Sequence, residues 1–581
     1  MEKYSDLLKI LLEKRGITDE KEAEIFLNPD YARDFFDPFL MRDMEKACVR
    51  IYEAVEAEEK IVIYADYDCD GIPGAVILSS LLKKIDYTNY EVYIPQRNSE
   101  GYGLNMEAIK QFADSNTKLL ITIDLGITAV AEVAQAEVDG IDVIITDHHI
   151  PHETLPRAYA ILNPKVDNYP EKMLCGAGVV FKLIQGFVKK YGHYYDTERA
   201  GKNFLSAELA KLGQSSTAKL SPALSAGWEK WMLDMAGLAT LSDMVPLTGE
   251  NRAMASFGIK VLRKSPRVGL QKLLSQMKID QRYLGEDDIG FMVTPRLNAA
   301  SRMDNPMRAF ELLATDDVVE AGELSSHLTK INDDRKSMVA SIMREVKKTF
   351  EDRVVTEVIV VGNPKWKIGV LGLVAGKLCD EYEKPVFVWG RDENDMIKGS
   401  CRSDGSVSVV ELMTHAGEHF IEFGGHEMAG GFTVHDDKIH FLEEQLSISF
   451  SHTKRVKEEF LHPKYDMAGN FDLVSMKNWR EIEKMAPFGL ENHKPIFLFQ
   501  NVKISNIKKF GKNGSGEHLE ISFQDVNNRK AVAISFFSNQ DSFSVPIEEG
   551  KSVNLLATFD LSRFRGREEL RLRIVDILST I

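Results

Sequence analysis

The sequence predicts an α/β fold: two α/β units joined by a long helix, with a small C-terminal β-barrel. Three observations predict it. Between about residues 58 and 190, short β-branched or aromatic runs alternate with segments of helical apolar spacing. Residues 323–353 keep helical periodicity without Gly or Pro. Past about Pro495, five short strand-like runs separated by polar turns finish the chain. A length of 581 residues is itself too great for one core.

The elements follow in order. Residues 1–57 read as a helical N-terminal region, opening on the amphipathic MEKYSDLLKILLEKRG, which lacks the form of a signal peptide. IVIYADYD, YEVYIP (90–95), KLLITIDLG (118–126) and DVIITDHH (142–149) read as strands, with GAVILSSLLKKI and AVAEVAQAEV as helices between. Such alternation indicates a parallel sheet in a first unit over 58–322, and ligands sit beyond the carboxyl ends of such strands. A polar, irregular stretch near 190–225 reads as an insertion, and no physical account of its purpose follows from the sequence. After the connecting helix (323–353), VTEVIVVG and KPVFVWG open a second unit over 354–450 that ends in the Gly-rich GGHEMAGGF (424–432). The barrel falls within 466–581.

Composition bounds the function without deciding it. At 44% hydrophobic and 28% charged, with no apolar run long enough to span a bilayer, the chain reads as soluble and without a membrane partner. Five scattered cysteines with no CxxC argue for a reducing, cytoplasmic setting and against a zinc site or disulfide framework. The net charge of −16 is uneven: residues 501–581 hold 12 Lys+Arg against 10 Asp+Glu, which leaves −18 for the first 500. An acidic centre can coexist with a local basic surface, so global charge does not exclude nucleic acid.

YADYDCDGIPG (64–74) places three aspartates in five residues. Asp66, Asp68, Asp70 and Gly71 match the start of an EF-hand loop, but its twelfth position, which requires a bidentate Glu, is Ile77. The flank is also a strand where an EF-hand has a helix. A solvated acidic turn is the plainer alternative. If the strand geometry continues, the three carboxylates crowd on one side and need a cation or proton among them. Acidic residues recur at two further strand ends, Asp124 and Asp147 with His148 and His149. One strand-end Asp is usually a cap; three such ends on one edge make independent capping a poor explanation. Asp243, ending the apolar run MAGLATLSD, could add a carboxylate or could itself be a cap.

Carboxylates with imidazoles and no thiolate suit Mn²⁺ or Mg²⁺ better than zinc, and several carboxylates suggest two ions. Two such ions serve phosphoester or pyrophosphate hydrolysis. The glycines of GGHEMAGGF, with Ser400 and Arg402 in KGSCRSDGS, could clamp a phosphate backbone, as could Arg296 and Arg302 in PRLNAASRM; a structural turn or an ion-paired Arg explains each equally well. In the barrel, Lys508, Lys509, Lys512, Arg563, Arg565, Arg567 and Phe564 fit single-strand binding or a solvated face.

In this order, DYDCDG, TIDLGIT (122–128), TDHH (146–149) and LSDMVPLTGENR (241–252) resemble the motif series of the DHH phosphoesterase superfamily. NPKVDNYP, LCGAGVVFK, PRLNAASRM, GNPKWKIGVLG, GGHEMAGGF and APFGLENHKPIF extend the likeness, almost end to end, to its branch of bacterial single-stranded-DNA exonucleases. The resemblance implies a DHH domain, a DHH-associated domain and a C-terminal OB-fold. It implies Mn²⁺ or Mg²⁺, two ions, on Asp68, Asp70, Asp124, His148 and Asp243, with Asp124 bridging. His149 would contact the scissile phosphate, with Asp66 and Asp147 in support. Arg296, Asn298, Arg302, Ser400, Arg402, Gly424, Gly425 and His426 would hold the nucleic acid. The implied activity is stepwise 5′-to-3′ hydrolysis of single-stranded DNA in repair and recombination, by a monomer, with a helicase and a single-strand-binding protein as further candidate partners.

The sequence departs from the family pattern at several places. Tyr64 stands where pyrophosphatase relatives carry a metal-binding His, which speaks against that activity. Ala65 and Leu125 replace smaller or more polar residues, Pro73 replaces Thr or Ser, Ser301 a Gly, and WKIG a WHPG-like segment, with Lys367 in place of a His. None removes an implied metal ligand. A DHH phosphatase on short oligonucleotides and a non-catalytic scaffold are the alternatives; length counts against the first and intact acidic motifs against the second.

Overall fold

The structure, a computed structural model, describes residues 1–97, 99–211, 224, 227–351, 353, 355–453, 465–511, 518–540, 542–564 and 567–580, without the side chains of 196–211, 564 and 567. Residues 212–223, 225 and 226 of the expected insertion, and Lys512 and Arg565 of the basic set, lie outside them. The chain forms two compact units: residues 36–243 with 257–459, and residues 1–35 with 244–256 and 460–581.

The larger unit holds two sheets. The first has β1 (Lys60–Ala65), β2 (Tyr90–Tyr93), β3 (Thr117–Ile123), β4 (Asp142–Thr146) and β5 (Ala160–Leu162) in the order β2-β1-β3-β4-β5. Every pairing is parallel. The helices Gly71–Lys84, Met106–Asp114 and Val130–Val138 make the return crossings that parallel strands require. β1 and β3 are apolar and buried along nearly their whole length, as strands covered on both faces must be. Strand β5 was not legible: three residues between Pro156 and Pro164 carry no measurable periodicity, and pairing with Ile144–Thr146 makes them a strand.

The long helix runs Val318–Glu351, starting five residues before the expected position because Asp317 caps it. The Asp317 carboxylate accepts the Val319 and Glu320 N–H groups at 2.7 and 2.8 Å. The second sheet contains β6 (Ile359–Gly362), β7 (Val386–Arg391), β8 (Ile397–Arg402), β9 (Phe420–His426) and β10 (Ala429–Val434), ordered β6-β7-β8-β10-β9. Only β6 and β7 run parallel. GGHEMAGGF is thus a hairpin rather than a free turn, with Gly425 opposite Gly430 and Gly424 opposite Gly431. Gly425 has φ 143°, and a Cβ there would sit 2.3 Å from the Ala429 carbonyl oxygen, so only glycine fits.

The smaller unit is built on β11 (Met467–Gly469), β12 (Phe497–Phe510), β13 (His518–Gln524), β14 (Lys530–Phe536), β15 (Ser552–Phe564) and β16 (Arg567–Leu578). Their order is β11-β12-β13-β14-β16-β15, and β12 also pairs with β15, so the pairings of β12 to β16 return on themselves. The N-terminal helices Asp6–Glu13 and Glu20–Leu27 pack into this core: Leu7, Leu8, Leu11, Leu12 and Leu27 cluster with Phe497, Phe499 and Phe523. Each buried leucine contributes roughly 2 kcal/mol of apolar burial. The amphipathic start of the chain therefore packs with its last hundred or so residues.

Candidate active site

The carboxyl ends of β1, β3 and β4 lie on one edge of the first sheet, and each leads straight into acidic or imidazole side chains. After β1 the chain does not stay extended, as a strand continuing through DYDCD would. It turns, because the Asp68 carboxylate accepts the Asp70 and Gly71 N–H groups at 2.8 and 3.3 Å. The turn divides the three aspartates. Asp66 and Asp68 group with Asp124, while Asp70 groups with His148 and Asp243. A third group joins Asp124, His148 and His149, and within each group the ligand-type atoms lie within 4.8 Å of one another.

Asp124 lies at the centre. It follows β3 with φ 62°, a left-handed conformation that is costly for a non-glycine residue and is kept here by its surroundings. Its N–H donates to the Thr146 carbonyl at 2.9 Å and its own carbonyl accepts the Tyr102 hydroxyl at 3.2 Å. Gly176 leaves room for it: a Cβ at 176 would lie 2.6 Å from the Asp124 Cβ. His148 Nε2 sits 3.2 Å from Asp124 Oδ1 and 3.8 Å from oxygens of both Asp70 and Asp243. Asp70 is fixed from outside the cluster, accepting the Gly176 and Ala177 N–H groups at 2.6 and 2.7 Å where the helix Gly176–Lys211 starts. Asp243 closes the group from the end of the helix Leu233–Ser242, so the apolar run before it is a helix.

Asp147 does a different job. It accepts the backbone N–H of Ile127 at 2.9 Å and those of His148 and His149 at 2.7 and 3.0 Å. It also takes the His149 Nδ1 proton at 2.8 Å, which orients that ring. Asn163 and Lys165 donate to the His149 and His148 carbonyls.

The charges of the cluster favour a cation among the carboxylates. Burial, reinforced by neighbouring aspartates, holds the carboxyls of Asp66 and Asp124 well above the usual carboxylate range. It raises Asp70 to about 7 and Asp243 to about 9. Burial also pushes the His148 imidazole down to about 3, leaving it neutral and able to ligate. Against burial, the mutual hydrogen bond holds Asp147 below and His149 above their ordinary values. Asp66 Oδ1 and Asp124 Oδ1 are buried without a hydrogen-bond partner among the described residues. No Lys or Arg among those residues forms an ion pair with the five aspartates of the three groups. This donor set fits hard divalent cations.

Beside the carboxylates gather arginines from distant parts of the chain. Arg302 ends the helix Thr294–Met303 and donates to the Gly369 carbonyl at 3.2 Å. A Cβ at Gly369 would meet the Arg302 carbonyl oxygen at 2.2 Å, and one at Gly372 would lie 3.1 Å from Arg402 Nη2 and 3.5 Å from Ser400 Oγ. The glycines of GVLG thus let Arg302, Arg402 and Ser400 approach one helix face. Burial, then the charges of Arg97, Arg335 and Arg402, lowers Arg302 to about 9. Arg97 stacks on Tyr67 at 5.0 Å and bears on Asp66. It was missed in the sequence, although it follows β2 on the same sheet edge. Tyr102 was missed too; its hydroxyl lies 3.3 Å from His149 Nδ1. Arg296 is buried, donating to the Met292 carbonyl at 2.7 Å, and Asn298 Oδ1 has no partner among the described residues. Gly424, Gly425 and His426 are exposed on edge strand β9, and no hydrogen bond or ion pair among the described residues links them to the carboxylates.

Comparison with known proteins bears on this geometry. The DHH family N-terminal domain matches residues 60–213, the DHHA1 domain 351–448 and the RecJ OB domain 465–576. The single-stranded-DNA-specific exonuclease RecJ of Dickeya dadantii is 31% identical over 592 residues, covering 98% of this chain and 95% of that protein. Its namesake from Bacillus subtilis is 32% identical over 574 residues, covering 98% and 67%. The chain belongs to the RecJ family. A crystal structure of a RecJ exonuclease bound to manganese superposes with a TM-score of 0.58 at 27% identity, covering 71% of this chain and 95% of that one. Thermus thermophilus RecJ in complex with Mn²⁺ shares the fold, with a TM-score of 0.77 at 23% identity over 99% of this chain and 76% of that one. The DHH match covers the carboxylate sheet, the DHHA1 match the second sheet with Arg402, and the RecJ OB match the strands of the smaller unit.

Proposed function

We propose that this chain is a Mn²⁺- or Mg²⁺-dependent exonuclease that removes nucleotides from single-stranded DNA in the 5′-to-3′ direction, in repair and recombination. The observation that carries the reading is the Asp124-centred cluster of unneutralised carboxylates and a neutral imidazole, in a chain of the RecJ family.

Asp68, Asp70, Asp124, His148 and Asp243 would hold two divalent cations; Asp124 and His148 each belong to two of the three groups. Asp66 stands with Asp68 and Asp124 and adds negative charge to that side. When bound, the two cations supply Lewis acidity at the phosphoryl group and acidify the attacking water. The residues of the chain supply the rest. Asp147 holds the His149 ring by Nδ1, which leaves Nε2 to face the scissile phosphate and its leaving oxygen. Arg97, Arg302, Arg402 and Ser400 neutralise and position phosphates beside the carboxylates. Gly424, Gly425 and His426, with no side chain or an exposed one, let the strand backbone approach β9. The smaller unit binds single-stranded DNA through its OB strands, where Phe510, His518, Phe536 and Phe537 cluster with ring centroids 4.8–6.4 Å apart and Arg573 lies over Phe536.

Five buried free cysteines suit a reducing cytoplasm. The enzyme works there as a monomer on strands that a helicase opens and a single-strand-binding protein keeps apart. The test follows digestion of a 3′-labelled single strand with Mn²⁺ and with EDTA, beside a blunt duplex and a 5′-blocked strand. A metal-dependent ladder shortening from the 5′ end, absent on duplex and blocked strand, is the expected result. Strand binding without cleavage in Mn²⁺ would instead make the protein a scaffold.

A further inference from the structure

Four of the five residues proposed to hold the metals are fixed by hydrogen bonds of their own. Asp68 and Asp70 accept backbone N–H groups, and Asp124 and His148 are each bound through their N–H and carbonyl. Asp243 differs. Its carboxylate accepts no hydrogen bond among the described residues, and its N–H makes only the helical bond to the Ala239 carbonyl at 2.8 Å. Its side chain is 26% exposed, against 1% for Asp70 and 5% for Asp124. Directly after it the chain passes from the larger unit to the smaller, and Met244 leaves the helix with φ 58°. A carboxylate in such a place must be ordered when an ion binds, unless a neighbour orders it beforehand.

The residue beside it makes the bonds that Asp243 lacks. Ser242 Oγ donates its one proton to the Leu238 carbonyl, a turn back on the helix, at 2.7 Å. In the 2.6 Å contact between Ser242 Oγ and Thr294 Oγ1, Thr294 is therefore the donor. Thr294 is buried and opens the helix Thr294–Met303, 52 residues further along the chain. Its oxygen is left to accept the thiol of the buried Cys69 at 4.0 Å, a long and weak sulfur contact. Cys69 stands between Asp68 and Asp70 in the acidic turn. One donor-to-acceptor order, from Cys69 to Thr294 to Ser242 to the Leu238 carbonyl, thus ties that turn to the end of the Asp243 helix. None of the three side chains belongs to the ligand groups.

We propose that Ser242 and Thr294 are positioning residues that hold the Asp243 carboxylate toward Asp70 and His148, so that one cation is bound by all three. The proposal rests on the exonuclease reading for Asp243 as a metal ligand. The two cations then respond differently. The one on Asp70, His148 and Asp243 depends on the hydroxyl pair, whereas the one on the group of Asp66, Asp68 and Asp124 does not.

The test uses the full-length protein with Thr294→Val, Ser242→Ala, the double variant and Thr294→Ser. Val keeps the branched shape of Thr without its hydroxyl. Each protein is titrated with Mn²⁺ by calorimetry and melted in EDTA. The parent should bind Mn²⁺ in two steps. In each single variant one step should weaken about tenfold, the lower end of the range for losing a ligand's support, and the other should hold. The double variant should lose no more than the worse single, because either change breaks the same bond. Thr294→Ser keeps the donor and should restore the step. Cleavage at saturating strand should fall at low Mn²⁺ and recover when Mn²⁺ is raised about tenfold, with KM for the strand unchanged. Equal Mn²⁺ binding in the parent and both single variants would overturn the proposal. So would equal weakening of both steps, or a lower Tm in EDTA with Mn²⁺ affinity kept, since either assigns the pair to packing. A single Mn²⁺ step in the parent would overturn it too, leaving no ion for Asp243 to complete. A parent that bound two Mn²⁺ without cleaving would sink the exonuclease reading alone, and the calorimetry would still decide the role of the pair.

Discussion

The carboxylate cluster and the arginines beside it carry the same physical defect with opposite sign. In the first, burial and like charge hold the carboxyls of Asp66, Asp124 and Asp243 well above the usual carboxylate range. In the second, burial and like charge depress Arg302, Arg335 and Arg402. Neither region is electrostatically complete by itself, and they do not neutralise each other by direct ion pairs among the described residues. On the proposed function the difference is a division of labour, in which one region would take cations and the other phosphates.

The largest effect expected separates the two. Asp124→Asn keeps a side chain that tolerates the left-handed backbone and removes the shared carboxylate. Hydrolysis should fall by more than about 10³-fold, since each ion contributes several kcal/mol to the transition state. The metal-free variant should melt higher than the parent, because a buried like charge is gone, and should lose the rise in Tm that Mn²⁺ gives. An unchanged metal-free Tm would show that the cluster is not strained by its own charge.

Next comes Gly176→Ala. The new methyl would sit 2.6 Å from the Asp124 Cβ, on the residue whose N–H holds Asp70. Mn²⁺ affinity by calorimetry should drop about 10–100-fold, the range for disturbing a ligand's support. Equal metal affinity would mean that the backbone shifts freely there and that the cradle is not needed.

The comparison also predicts two pH slopes of opposite sign. Asp70 and Asp243 keep their protons to about pH 7 and 9, whereas the unfolded chain releases them near about 4. Over that window the folded state binds more protons, so metal-free stability should fall as pH rises from about 4 to about 9. Arg302 behaves oppositely: its folded value is about 9, so above that pH the unfolded chain holds the extra proton and the Arg302 penalty eases as pH rises. Melting curves with EDTA should show the acidic slope, and saturating Mn²⁺ should flatten it. A slope that survives Mn²⁺ would place the titrating groups outside the metal cluster.

The two regions also differ in how far the sequence reveals them. The carboxylates are compressed into DYDCDG, TIDLG and TDHH at the ends of strands whose apolar runs are plain to read. Parallel topology then brings them to one edge. Which aspartates group together was not legible, because the Asp68 turn rather than strand alternation decides it. The arginines are scattered from Arg97 to Arg402 over a loop, two helices and a strand. What gathers them is tertiary packing at Gly369 and Gly372, visible only once the Cβ clashes are known. Likewise the N-terminal leucines announce an amphipathic helix, but nothing local says that their partners lie some 490 residues on.

The smallest effect concerns the smaller unit, where binding is expected without either buried charge cluster. Phe537 is 83% exposed and holds φ 53°, an uncommon backbone for an aromatic residue. Its N–H donates to His518 Nδ1 at 3.0 Å, which fixes that conformation and presents the ring beside Phe536 and His518. An exposed ring held in this way stabilises little in the fold, so Phe537→Ser should leave Tm almost unchanged. If the ring stacks on a base, single-strand affinity should weaken by about 1–3 kcal/mol, and dinucleotide hydrolysis should keep its rate. The salt slope should stay constant, because stacking releases no counterions. That last readout separates stacking from a phosphate contact, whose loss would change the slope. A Phe537 variant that altered the slope would mean that the aromatic patch acts by placing neighbouring cations such as Arg573, and the smaller unit would then grip the strand electrostatically.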